Sequence, residues 1–291
     1  MTLRCSESAA ERGDPMVGTA PPQREWLLVE HHGPWPVRAP FDTELSVDLL
    51  RRLRHPEQRV VLVRPHVRER AGAIRRRWFR CRDGELRTGH WERPEDLLET
   101  LRPEAGTPHV GPLLLVCTHG VHDTCCAVSG RPVVAALSQR WPAETFECSH
   151  LGGDRFAPNL LLLPDLACYA QMSPEGAVSL VEAHLDGRVE TGSLRGVAGL
   201  HPAEQVALTA ALERWGPAPL SAARARLVHQ AGTLDDGRWT VDVAGSDPLP
   251  TQAQVVVASS RRAEARLTCR ATRATRALQW DVVSWSTATL D

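Results

Sequence analysis

Two stretches of this chain can be laid on each other letter by letter. Leu27-Leu28-Val29-Glu30-His31-His32-Gly33 stands beside Leu114-Leu115-Val116-Cys117-Thr118-His119-Gly120. Each is a short apolar run closed by histidine and glycine, the pattern of a buried strand that ends in a tight loop. The elements that follow come in the same order in both. Leu45, Leu49, Leu50 and Leu53 share one helical face, and Pro132 to Arg140 predicts an amphipathic helix at the matching place. Arg59 to Val63 and Thr145 to Cys148 are the next strands. Trp78 to Arg82 and Glu85 to Thr88 make a hairpin about Asp83-Gly84, a favoured tight turn. Asn159 to Leu163 and Cys168 to Gln171 make its counterpart. Pro94 to Leu101 and Pro174 to Leu185 close the halves as helices with proline in the first turn.

Strand, helix, strand, hairpin, helix is therefore read twice. That order predicts an α/β chain in which each half is a thioredoxin-like unit, the first a degenerate copy with Glu30 where the second has Cys117. Beyond it, His201 to Trp215 reads as a helix. Trp239 to Val243, Gln254 to Ala258, Ala265 to Cys269 and Leu278 to Trp285 read as strands of a small C-terminal α+β region. The expected divisions are a loose arm over 1–24, an N-terminal half over 25–105, a second half over 110–200 and the C-terminal region over 201–291.

The formal charge of −1 gives no global field toward nucleic acid or acidic membranes. Every basic residue is arginine, which excludes Schiff-base chemistry and a lysine-based phosphate loop. No apolar run is long enough for a membrane span or signal peptide, so the expected compartment is the cytoplasm. Such a compartment keeps thiols reduced, and eight cysteines there do not suggest a disulfide framework.

Their distribution points to metal or redox chemistry instead. Cys5, Cys81 and Cys269 are scattered, whereas Cys117, Cys125, Cys126, Cys148 and Cys168 crowd together. Cys117 ends a strand, Cys126 precedes a helix, and His150 ends a second strand before Gly152-Gly153. Two strand-end loops thus offer donors to one place, and thiolates with imidazole suit zinc or an iron–sulfur cluster. Zinc knuckles space their cysteines by two to four residues. The longer loop from Cys117 to Cys126 fits a wider object such as a two-iron cluster. A thioredoxin-type Cys-x-x-Cys is absent, and the vicinal Cys125-Cys126 pair is a poor disulfide.

The run CTHGVHDTCC at Cys117, followed by ECSHLGGDRFAPNLLLLPD at Glu147, resembles the sucrase/ferredoxin-like family of thioredoxin-like [2Fe-2S] proteins. GTAP at Gly18, LLVEHHGPW at Leu27 and Arg195-Gly196 extend the resemblance over most of the chain to about residue 215. Relatives hold their cluster through Cys-x8-Cys and His-x3-His. The resemblance implies Cys117, Cys126, His150 and Asp154 as ligands here, with aspartate departing from the relatives' second histidine. Carboxylate oxygen is a harder donor than imidazole, so Cys148 and Cys125 stand as alternates for that place. His119, His122 and Arg155 would tune the group from outside the ligand set. The expected function is electron transfer between unidentified donor and acceptor proteins. The rivals are a thiol-redox enzyme using Cys125 or Cys126 and a zinc-stabilised module. No pair of glycosidase carboxylates stands out.

Overall fold

The computed structural model describes residues 3–66 and 75–287. Its elements run α1 (Cys5–Glu11), β1 (Glu25–Glu30), α2 (Val47–Leu53), β2 (Gln58–Pro65), β3 (Arg76–Arg82) and β4 (Glu85–Trp91). A 3₁₀ helix (Pro94–Leu101) and β5 (Thr107–Pro108) lead to β6 (Leu113–Cys117), α3 (Thr124–Arg140), β7 (Thr145–Cys148), β8 (Asn159–Leu163), β9 (Ala167–Ala170) and α4 (Pro174–Leu185). Then come β10 (Leu194–Val197), α5 (Pro202–Trp215), β11 (Ala223–Gly232), β12 (Asp236–Gly245), β13 (Ala253–Ala265) and β14 (Thr275–Thr287).

The first ten strands form one sheet in the order β10-β9-β8-β6-β7-β2-β1-β3-β4-β5. Both halves have the same internal pairing. β1 is parallel to β2 and antiparallel to β3, and β6 is parallel to β7 and antiparallel to β8. β2 and β7 join the halves edge to edge, antiparallel, with Val63 opposite Cys148.

Strand alternation divides the core. Leu114 and Val116 pack with Val133, Val134 and Leu137 of α3 and with Leu180 and Val181 of α4. Leu113, Leu115 and Cys117 turn the other way, into a cluster shared with Trp26, Leu28, Val61 and Val63 of the first half. That shared cluster seats the end of β6 against both halves. α5 packs on the C-terminal sheet β11-β12-β13-β14, and Trp239 and Trp280 join the core of the second half.

The structure departs from the sequence reading in several places, the short strands β5 and β10 among them. The segment before β1 is not a bare arm but carries α1, with Cys5 and Ala9 buried. Helix α3 starts at Thr124 rather than Pro132, because the Asp123 side chain caps it by accepting from the Cys125 amide. Pro132, lacking a donor, sits inside the helix. β13 is a single long strand, so Cys269 lies in the loop beyond it instead of ending a strand of its own. β11 was not expected: Ala223, Ala225 and Leu227 alternate with arginines, but the apolar members are mostly small and the second half of the strand is exposed, so the signal is short and weak. No helix among the described residues is long and apolar enough to cross a membrane.

Candidate metal centre

Cys117 is the last residue of β6, and Cys126 lies in the first turn of α3. Their closeness depends on Gly130, one turn further along the helix. A Cβ there would collide with the Cys117 carbonyl oxygen. Gly130→Ala would gain about 1 kcal/mol of helix propensity. Displacing the helix from a backbone atom costs about 1–3 kcal/mol. The expected net result is a lower melting temperature by circular dichroism, because backbone cannot swing aside as a long side chain can.

His150 and Asp154 come from the loop between β7 and β8. Gly153 makes that loop possible, with φ +78° and no room for a Cβ beside the Arg195 guanidinium. Asp154 is buried, its Oδ1 lying 3.4 Å from Cys126 Sγ and 2.9 Å from His150 Nδ1. His150 Nδ1 is shielded from solvent yet has no aligned hydrogen-bond partner among the described residues. Contact with Cys126 lowers the Cys117 thiol well below the usual range, against burial and with help from His150. Burial works to lower the His150 ring, but Asp154 and Cys117 outweigh it and raise it to about 9. Burial likewise opposes ionisation of Asp154, and the contact with His150 reverses the balance and lowers it.

The first half supports this arrangement. Arg59 donates to the carbonyl oxygens of His150 and Leu151 at 2.7 and 3.1 Å. His119 Nε2 meets the Pro36 carbonyl at 2.9 Å while its Nδ1 accepts from the His150 amide at 3.3 Å. Both His119 nitrogens are therefore engaged, and the ring positions His150. His122 differs. Its Nδ1 is 3.0 Å from the Val37 carbonyl and must donate there, which turns Nε2 toward Asp154 Oδ2, 3.8 Å away. His122, His150 and Asp154 place one donor atom each within 4.8 Å of one another. They face a cleft of about 610 Å³ that is also lined by Val37, Phe41, Arg54 and Arg270.

The other expected residues lie elsewhere. Arg155 turns to Asp14, 3.7 Å away. Cys148, fully buried and raised by burial, stands beside Cys117 across β6 and β7. Cys125 points away from Asp154, toward Cys5 and Cys269.

The sucrase/ferredoxin-like family model matches residues 16–196. The chain belongs to the sucrase/ferredoxin-like family. The matched span holds Cys117, Cys126, His150 and Asp154 as well as His119 and His122, and excludes both Cys5 and Cys269. No curated protein and no solved structure matches the chain.

Proposed function

We propose that this protein is an electron carrier that holds one [2Fe-2S] cluster at Cys117, Cys126, His150 and Asp154. The observation that carries the reading is the convergence of two thiols, an imidazole and a carboxylate from two strand-end loops under an open cleft. The donor set suits the group. Soft thiolates would anchor one iron, and His150 Nδ1, buried and without an aligned partner, is the kind of nitrogen that a metal would satisfy. When bound, the cluster would take up and release one electron at a time. The chain's own part is to shield the thiolate side, fix the ring orientation through His119 and leave the His150 side near solvent for unidentified redox partners.

The shared strand order and directions support reading each half as a thioredoxin-like unit, the first without ligands. There Glu30 is buried at the strand end and is paired with Arg77 at 3.1 Å, which makes it structural. Anaerobic purification tests the function. Visible charge-transfer bands with iron and labile sulfide support it. A colourless protein with zinc at Cys117 and Cys126 would favour a structural module. A colourless one with rapidly alkylated thiols would favour a thiol-redox enzyme.

A second reading concerns only the fourth ligand. The Nε2 of His122, turned to the same place while Nδ1 is held by the Val37 carbonyl, competes with Asp154 for it. If Asp154 is the ligand, Asp154→His removes a negative charge from the set. The potential should then rise by on the order of a hundred millivolts in a redox titration. If His122 is the ligand, Asp154→Ala should keep the spectrum and His122→Ala should lose it.

A further inference from the structure

The vicinal cysteines at the start of α3 are divided between two places. Cys126 faces Asp154, whereas Cys125 meets Cys5 of α1 and Cys269 of the loop after β13. The three sulfurs form a nearly regular triangle. Cys5 to Cys125 is 3.5 Å, Cys125 to Cys269 is 3.4 Å, and Cys5 to Cys269 is 3.5 Å. The carboxylate oxygens of Asp123 lie 3.8 and 3.7 Å from the Cys5 sulfur. One donor atom from each of the four residues lies within 4.8 Å of all the others.

Those separations are too long for a disulfide, whose S–S bond is about 2.05 Å. They are close to the face of a tetrahedron. Metal–sulfur bonds of about 2.3 Å at the tetrahedral angle put sulfurs about 3.8 Å apart. The carboxylate is held ready, accepting from the Cys125 amide at 2.9 Å and the Cys269 amide at 2.8 Å. Each oxygen keeps a lone pair. Among the described residues Asp123 has no ion-pair partner. Thiols that merely fill a core face apolar groups; these three face each other and a carboxylate, which favours a cation among them.

We propose that Cys5, Cys125, Cys269 and Asp123 bind a zinc ion that fastens both terminal regions to the loop between β6 and α3. Three thiolates and one carboxylate make a closed four-coordinate set, suited to a structural zinc rather than a reactive one. Zinc binding would displace the thiol protons and involves no electron transfer. This site shares no donor with Cys117, Cys126, His150 and Asp154, so it does not depend on the electron-transfer reading.

Metal analysis of the full chain, reduced and incubated with zinc chloride, tests the proposal. The expected result is a stoichiometric zinc that is lost in Cys5→Ala and in Cys269→Ser but kept in Cys117→Ser. A zinc kept in the first two and lost in the third would overturn it, as would a parent protein that takes up none. If either variant fails to fold, alkylation of the parent decides. Zinc should slow iodoacetamide labelling of the exposed Cys269 severalfold, and a chelator should restore it. Labelling at equal rates with and without zinc, or a Cys5–Cys125 disulfide in the isolated protein, would sink the idea.

Discussion

Cys126→Ser should remove the visible bands and the iron, and Cys117→Ser should do the same. Serine oxygen is too hard and too weakly acidic to replace an iron-bound thiolate at neutral pH. The contrast that gives the experiment its force is with Cys125. Adjacent helical residues point about 100° apart around the axis. In α3 this turns Cys126 to Asp154 and Cys125 to Cys5. Cys168→Ser should alter only packing, because its buried sulfur donates to the Leu166 carbonyl at 3.8 Å and otherwise packs in the apolar cluster between the halves. The measurement is an absorption spectrum with iron and sulfide analysis on each variant. If Cys125→Ser bleaches the protein and Cys126→Ser does not, the ligand register is wrong by one residue.

How far the sequence goes depends on how local each signal is. The duplicated element order was legible because runs such as Leu113 to Cys117 are apolar over their whole length, and Asp83-Gly84 marks its own turn, with φ of 52° and 76°. The pairing of β2 with β7 was not, since Val63 and Cys148 carry no mark of being opposite each other. Strands fully buried on both faces look alike wherever they sit in a sheet. The donors around His150 were legible as loop residues next to strand ends. His122 was visible too, but its availability as a donor depends on the Val37 carbonyl, a contact between the halves. Cys5 and Cys269 lie 264 positions apart, and only the folded chain shows that they meet. An alternation-based reading even placed Cys269 on a strand, where it would have faced a sheet neighbour rather than Asp123.

Arg195→Leu should destabilise the protein more than any substitution on its surface. The guanidinium is buried and reaches Thr19 Oγ1 at 3.1 Å, Gly152 O at 3.1 Å and Asn159 Oδ1 at 2.7 Å, and also the Thr19 carbonyl. Two effects oppose each other. Among the described residues no carboxylate pairs with this cation, and burial, with the nearby Arg155 and Arg59, lowers its proton affinity, so leucine relieves a desolvation cost. The same change leaves the buried Asn159 oxygen empty, at about 1–3 kcal/mol, and three half-buried acceptors on Thr19 and Gly152, each at a smaller cost. The acceptors outnumber the single charge, so the net loss should be on the order of 3 kcal/mol. Arg195→Lys should fall between parent and leucine variant, because an ammonium keeps the charge but cannot span the same fork of acceptors. Denaturant unfolding of the three proteins measures this. The loss should extend to the metal centre, since Gly152 and Gly153 form the turn between His150 and Asp154, and Asn159 also holds the Gly153 carbonyl at 2.9 Å. An Arg195→Leu protein with the parent's unfolding midpoint and full iron content would mean that the loop is held without the guanidinium. The glycines would then be the whole reason for its shape.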